Sequence, residues 1–169
     1  KGLLIDEEEF QISPAITRQV TMFEVDTKTR GRKVTPQPPR PNSFDLDLTL
    51  WDCYNKHGDS IWAKQMVWPY HRQVTTNDIL TDDVYSFCSL RKGVKEYLKH
   101  LKGEGHQIGF LSAGAYHSMP YSQQPSVRML KMFGIYNDFD YIQVLAYKSF
   151  NKAETLTRIN QPIIFYDDN

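Results

Sequence analysis

The pattern of hydrophobic and polar positions becomes regular in the second half of the chain. Apolar residues recur at helical spacing between Arg91 and Leu101, and Gly103 and Gly105 follow as stop signals. A second helical pattern covers residues 126–133 and is closed by a glycine. A third, short helix is predicted over residues 152–159.

Continuous apolar runs alternate with these helices. They predict strands at residues 107–111, 141–146 and 163–166, and a first strand at residues 43–48. The first strand follows four prolines, which remove ladder donors, so we expect it to be short. Strands that alternate with helices favour a parallel sheet covered on both faces. Such sheets bind their ligands at the carboxyl ends of the strands.

The region between the first strand and the first helix lacks a helical period. Residues 53–89 are rich in large aromatic side chains, among them Trp62, Trp68, Tyr70 and Phe87. We predict a loop with short strands that forms a small cap or flap, with most of these aromatic side chains filling the core.

The first forty-two residues differ from the rest. An alternating segment at residues 15–25 is compatible with a strand but has no clear partner. Residues 27–42 contain five cations, no acid and four prolines. This composition predicts an extended arm. Its cations suit binding to RNA or an acidic protein, and a solvated linker with the same composition is the alternative. We therefore divide the chain into an extension, 1–42, and one domain, 43–169, whose C-terminal end we expect to be incomplete.

Composition adds limits to this organisation. The 169 residues are 40% hydrophobic with a formal net charge of zero, enough for one core. No apolar run reaches eighteen residues and no signal-peptide pattern opens the chain, so we expect an intracellular protein, cytoplasmic or alternatively mitochondrial. Cys53 and Cys88 lack a C-x-x-C spacing, which argues against a disulfide framework and favours buried small side chains. The five histidines lack metal-ligand spacing.

The candidate chemistry begins at the first strand, in the segment FDLDLTLWD. Asp45, Asp47 and Thr49 alternate there, and an extended backbone would turn all three toward one side. One carboxylate can attack phosphorus while the other donates and accepts protons. The structural alternative is a turn in which the aspartate side chains bond local amides.

Each of the three later apolar runs ends in further chemistry. The first ends at Ser112, the second at Lys148 with Lys152 just beyond, and the third at Asp167 and Asp168. Because these residues lie just past the ends of predicted parallel strands, we expect them to converge with Asp45.

This ordered set of motifs resembles the four motifs of the haloacid dehalogenase-like (HAD) hydrolases. The segments LTLW, RKGVKEYLKHLKGEGH and FYDD look most like the magnesium-dependent phosphatase-1 group, and the resemblance covers residues 44–169. It implies a doubly wound, Rossmann-like parallel sheet of the HAD type with at most a small cap or flap.

The resemblance also implies catalytic and metal-binding roles. Asp45 would be the nucleophile and would bind magnesium (Mg2+) through its other oxygen. Asp47 would be the general acid and base and would offer its backbone carbonyl to the metal. Asp168 or Asp167 would complete the protein ligands, since oxygen donors suit magnesium.

The implied phosphate-binding residues are Thr49, Ser112 and a lysine, with the amides that follow Ser112. We favour Lys152 because NKAETL opens a helix, as the third motif of the family does, with Lys148 as the alternative. The related phosphatases tend to have Ser-Arg at the second motif, whereas this chain has Ser112-Ala113, so their substrate preference does not transfer.

These motifs predict a magnesium-dependent phosphatase that hydrolyses a phosphomonoester, small or macromolecular, through an aspartyl-phosphate intermediate. The usual D-K-T-G-T of P-type ATPases lacks the second aspartate, which disfavours an ion pump. The alternative is a structural or assembly subunit of a large ribonucleoprotein, such as a mitochondrial ribosome, with little or no catalysis. Fold alone does not decide between the two.

Overall fold

Two sheets, two α-helices and three short 3-10 helices are the main elements in the part of the chain that the structure describes. The computed structural model of the protein describes residues 2–5, 23–24, 41–147, 151–152, 154–155 and 163–167. The strands are β1 (Gly2–Ile5), β2 (Phe23–Glu24), β3 (Asn42–Phe44), β4 (Trp51–Tyr54), β5 (Ser60–Ile61), β6 (His71–Arg72), β7 (Ile79–Thr81), β8 (Phe87–Leu90), β9 (Ile108–Ser112), β10 (Gln143–Ala146) and β11 (Ile163–Tyr166). The helices are α1 (Val94–Gly103) and α2 (Pro125–Met132).

The larger sheet has six strands in the order β1-β10-β9-β3-β11-β2. Every neighbouring pair in it is parallel. At its centre Phe44 lies opposite Phe110 on one side and Tyr166 on the other. The predicted α/β class and parallel sheet are confirmed, and the predicted strands at 107–111, 141–146 and 163–166 are found within two residues of their expected ends.

The finer prediction of a doubly wound sheet requires helices on both faces. The described residues contain α1, α2 and helical positions at 152 and 154–155. The predicted helices at the first two positions are confirmed; most of the third, 152–159, lies outside the described residues.

The first strand is short, as its prolines predict, but it ends four residues before the expected position. Asn42–Phe44 is its full extent. The chain then turns, because Leu48 adopts a positive φ of 64° and the amide of Leu50 donates to the carbonyl of Leu46 at 2.8 Å. The extended backbone that the alternation of Asp45, Asp47 and Thr49 suggests therefore does not continue to Thr49.

Two pieces of the N-terminal extension belong to the sheet. β1 pairs with β10, and β2 pairs with β11, so they flank the four central strands. The alternating segment at residues 15–25, for which no partner strand was predicted, thus pairs with β11 over its described residues 23–24. Of the predicted arm at 27–42, only residues 41–42 are among those that the structure describes.

The smaller sheet is antiparallel, with the order β5-β4-β8-β7-β6, and forms the predicted flap of short strands. Cys53 and Cys88 lie opposite each other on β4 and β8 and are joined by a disulfide bond. The expectation of two unpaired cysteines was wrong, because a sequence separation of 35 residues conceals that antiparallel strands bring them together. Both are buried, as expected.

The flap aromatics do not mainly fill the core. Tyr70 is buried, but Trp62 is 52% exposed, Trp68 51% and Phe87 37%. The prediction fails for these three side chains because strands of two to four residues make a sheet too small to cover them.

The main core lies around the central strands. The rings of Phe44 and Phe110 both pack edge-on against Phe139, with centroids 6.4 and 5.6 Å away. Leu98 and Leu101 bury one side of α1. Among the described residues, no helix combines the length and apolarity needed to cross a membrane.

Candidate active site

The predicted site residues meet where the parallel strands end. Asp45 follows β3, Ser112 ends β9 and Asp167 follows β11. Because these strands are parallel neighbours, their carboxyl ends share one edge of the sheet. The structure brings Thr49 and Lys152 to the same edge through contacts with Asp45. Lys148 and Asp168 lie outside the described residues.

Asp45 is held between a cation and a hydroxyl. Its Oδ1 accepts a hydrogen bond of 2.7 Å from Nζ of Lys152, and its Oδ2 accepts one of 3.4 Å from Oγ1 of Thr49. Its backbone amide donates to the carbonyl of Tyr166 at 2.9 Å, which fixes the first residue after β3 to β11. The side chain is almost buried, so its carboxylate meets a defined set of partners.

Burial raises the pKa of Asp45 from 3.8 to about 6. The Lys152 ammonium opposes that rise, and the negative charge of Asp167 adds to it. The negative charge of Asp167 therefore acts on Asp45 at this edge of the sheet, and the positive charge of Lys152 partly offsets it. At neutral pH Asp45 is still mainly ionised, as a nucleophilic carboxylate must be.

Asp47 is fixed by two N–H donors on a single oxygen. Its Oδ1 accepts from the indole Nε1 of Trp51 at 3.0 Å and from the amide of Ala63 at 2.8 Å. Burial raises the pKa of Asp47, and these two donors and the charges of Lys152 and Lys64 oppose the rise. The occupied Oδ1 leaves Oδ2 as the oxygen suited to carrying a proton.

The segment from Asp45 to Thr49 combines features of the two arrangements expected for it, an extended backbone and a turn. The amide of Asp45 continues the pairing of β3 with β11, and Asp47 forms an isolated bridge with Trp51. Thr49 belongs to the turn that follows, yet its hydroxyl returns to Asp45. Asp47 bonds a backbone amide, but that amide comes from Ala63 in the flap rather than from the local turn.

Ser112 and Asp47 face each other across a glycine. A Cβ atom on Gly114 would lie 3.3 Å from Oγ of Ser112, 3.5 Å from Oδ2 of Asp47 and 3.5 Å from Oγ of Ser126. The glycine therefore leaves a small space lined by three oxygens. The amide of Gly114 donates to Oγ of Ser112 and that of Ala115 to the carbonyl of Ala146, so these two amides have acceptors within the protein.

The described donors at this edge are hard oxygen ligands. The charge of Asp167 acts on the pKa of Asp45, and carboxylate oxygens are the donors that magnesium prefers. Within the described residues no group of three or more His, Cys, Asp or Glu side chains is arranged to hold a metal. Asp168, the remaining predicted ligand, lies outside them.

Sequence reasoning missed the groups that support Asp47. The indole of Trp51 follows Asp47 by four residues, and this spacing was a usable signal. The amide of Ala63 is sixteen residues away and carries no side-chain signature. Ser126 is fully buried, and its hydroxyl has no partner in the described structure. No protein-family model matches the chain, and a search of curated proteins finds no match.

Proposed function

We propose that this protein is a magnesium-dependent phosphatase of the HAD type that hydrolyses a phosphomonoester through a covalent intermediate on Asp45. The observation that carries the proposal is the pairing of two differently held carboxylates. Asp45 is bonded by Lys152 and Thr49, while Asp47 is held through one oxygen by Trp51 and Ala63.

The strand arrangement supports the same proposal. The strand before Asp45 lies between the strand that ends in Ser112 and the strand that precedes Asp167. Residues from three separate parts of the sequence thus meet at one sheet edge, where parallel sheets bind ligands. The small size of the antiparallel flap is consistent with the small cap or flap expected for such a phosphatase.

In the first step an oxygen of Asp45 attacks phosphorus while the bond from phosphorus to the leaving oxygen breaks. Asp47 acts as the general acid and donates a proton to that leaving oxygen, a role that burial supports because it raises the pKa of this carboxyl. Lys152, Thr49 and Ser112 would bind the phosphoryl oxygens and stabilise the charge that develops on them.

In the second step the Asp47 carboxylate accepts a proton from water, and the water oxygen attacks the phosphorus of the aspartyl-phosphate. The bond from phosphorus to Asp45 breaks and inorganic phosphate leaves. Magnesium, held by Asp45, the Asp47 carbonyl and Asp167 or Asp168, would neutralise charge on the phosphoryl group.

The test is turnover of a generic aryl phosphate with magnesium by three proteins. We expect activity from the wild type and none from Asp45→Asn, which loses the attacking charge at nearly constant shape. Asp47→Asn keeps the nucleophile but loses the proton carrier, so label from a phosphate with a good leaving group should accumulate on Asp45. Asp78→Asn, a change at an exposed ion pair with Lys95, is the matched control and should remain active.

If the folded wild type hydrolyses no member of a broad phosphomonoester panel, the enzyme proposal fails. The role as a structural or assembly subunit of a ribonucleoprotein would then be the better account.

A further inference from the structure

Three exposed aromatic side chains and two cations lie around the flap turn whose Ala63 amide donates to Asp47. Trp62 is 52% exposed, Trp68 51% and Tyr116 40%. With Lys64 and Arg128 they form what we term the rim surface. Large aromatic side chains exposed as a group mark interaction sites more often than isolated ones do.

The rim surface is tied to the candidate catalytic acid by the backbone. The amide that donates to Asp47 belongs to Ala63, so Trp62 and Lys64 are its direct neighbours in the chain. The turn itself is fixed because the amide of Trp62 donates to Oε1 of Gln65 at 2.8 Å. A leaving group protonated by Asp47 would therefore lie next to the turn at residues 62–65.

The second part of the rim surface is fixed by a buried glutamine. Gln124 accepts from the amide of Tyr116 and donates to the carbonyls of Tyr116 and Met119, all at 2.7 Å. The hydroxyl of Tyr116 in turn donates to the carbonyl of Lys64. The loop after Ser112 and the flap are thus joined at this surface.

Tyr70 connects these groups to Trp68. Its ring lies 5.0 Å from that of Trp68 in an edge-on arrangement. Burial raises the pKa of the Tyr70 hydroxyl, the charge of Arg128 opposes the rise and Tyr116 adds to it. Arg128 and Tyr116 therefore both lie near the Tyr70 hydroxyl. The guanidinium of Arg128 stacks 3.8 Å from the centre of the Trp68 ring.

The charged groups of the rim surface are positive. Asp82, the acid that contacts this turn, is buried and accepts hydrogen bonds from the amides of Val67, Val84 and Ser86. Its carboxylate is bound by these three amides, and its charge also acts on Tyr70. Lys64 and Arg128 remain as the cations interleaved with the aromatic rings.

We propose that the rim surface binds a single-stranded polynucleotide, whose terminal phosphate is the substrate at Asp45. Unpaired bases stack on exposed aromatic rings, and the backbone phosphates attract the interleaved cations. This inference rests on the proposed phosphatase function, because it names the class of molecule that carries the phosphate. RNA and DNA strands share this chemistry and are separate arms of the test.

Binding is measured by fluorescence anisotropy with the full chain carrying Asp45→Asn, so that the probe is not consumed. The probes are labelled RNA and DNA single strands of about ten nucleotides with a 5′-phosphate, a 3′-phosphate or neither. We expect Trp62→Ala and Trp68→Ala each to weaken binding about tenfold or more. Trp62→Phe, which keeps a stacking ring, should retain most of the affinity.

The cations give an independent readout. Lys64→Gln and Arg128→Gln should each reduce the slope of log affinity against log salt by about 0.7. Tyr85→Asn is the matched control outside the rim surface, since asparagine tolerates the positive φ of 63° at this position. It should leave affinity and slope unchanged.

Equal binding by the alanine variants and their parent would overturn the inference, as would tighter binding of a phosphopeptide than of any strand. Failure of the phosphatase proposal is distinguishable. In that case strand binding would still depend on Trp62 and Trp68, but the wild type would hydrolyse neither a terminal phosphate nor an aryl phosphate.

Discussion

The indole Nε1 of Trp51 donates a 3.0 Å hydrogen bond to Oδ1 of Asp47, four residues before it. Trp51 is fully buried and packs against Phe133 with ring centroids 5.8 Å apart. The packing of the core thus sets the orientation of a candidate proton carrier. A buried N–H directed at a carboxylate also favours its ionised form.

Trp51→Phe should lower kcat about tenfold, because one hydrogen bond to a charged group is lost while an aromatic ring remains. Removal of a donor that opposes the raised pKa of Asp47 should raise that pKa further. We therefore expect the alkaline limb of the kcat profile to move to higher pH. Phe133→Leu disturbs the same packing but keeps the donor. An identical shift in both variants would contradict the assigned role.

Asp167→Asn and Asp168→Asn test the metal ligands directly. We expect calorimetric titration of the wild type with magnesium to give binding that at least one of these variants weakens about tenfold or more, because each substitution removes a charged oxygen donor. The melting temperature should rise with magnesium in the wild type and less in that variant. Asp78→Asn serves as the control. Wild-type affinity in both variants would reject the ligand set.

Asp140 predicts a pH dependence of stability. Its burial would raise its pKa, but hydrogen bonds from Lys102 and the amide of Ile108 outweigh burial and hold the pKa below 3.8. A lowered pKa contributes stability that is present above the unfolded value and is lost as pH falls through the folded value. Asp140→Asn should therefore cost up to about 1 kcal/mol at pH 7.

The difference between Asp140→Asn and the wild type should shrink below about pH 4, when the wild-type carboxylate takes up its proton. Chemical denaturation at several pH values measures it. A destabilisation that stays constant down to pH 2 would exclude the ionised carboxylate as its cause.

Gly109 predicts a severe loss of stability. A Cβ at this position would lie 2.2 Å from the carbonyl oxygen of Ile142, which accepts from the amide of Phe110 at 2.9 Å. Gly109→Ala must therefore separate two backbone segments, at a cost of about 3 kcal/mol or more. Gly103→Ala meets no atom within 4 Å and should be neutral or stabilising. Similar melting temperatures for both variants would contradict this account.

The basic arm remains a prediction from sequence. Deletion of residues 1–42 would also remove β1 and β2, so we prefer to replace its five cations, Lys28, Arg30, Arg32, Lys33 and Arg40, with glutamine. If the arm binds RNA, these changes should reduce the affinity and its salt dependence while hydrolysis of an aryl phosphate continues. Unchanged RNA binding would reject RNA as the partner of the arm. If the same changes instead abolish binding to an acidic protein, that protein is the partner.

Strand ends were predictable from sequence because a continuous apolar run and its terminal polar residue occur together. This reasoning located Ser112 at the end of β9 and Asp167 just beyond β11. Lys152 was favoured from a helix-opening pattern, and the structure brings it to Asp45. Each of these signals is local in the sequence.

The remaining features depend on contacts between distant segments. Leu48 at a positive φ has no sequence signature, since leucine rarely adopts that conformation. The Ala63 amide acts through the backbone, and the Cys53–Cys88 pairing requires knowledge of the flap register. Exposure of Trp62 depends on how little of the small sheet surrounds it, which hydrophobicity alone does not reveal.

The two flanking strands give the parallel sheet its outer boundaries. Residues 2–5 hydrogen-bond to β10 and residues 23–24 to β11, so these two inner strands are paired on both sides. In a shortened protein that starts at residue 41, the backbone N–H and C=O groups with which β10 and β11 pair with these flanking strands would be available to other chains. Open strand edges of this kind promote aggregation. We therefore expect a shortened variant to aggregate more readily than the full chain unless its two new edges are covered.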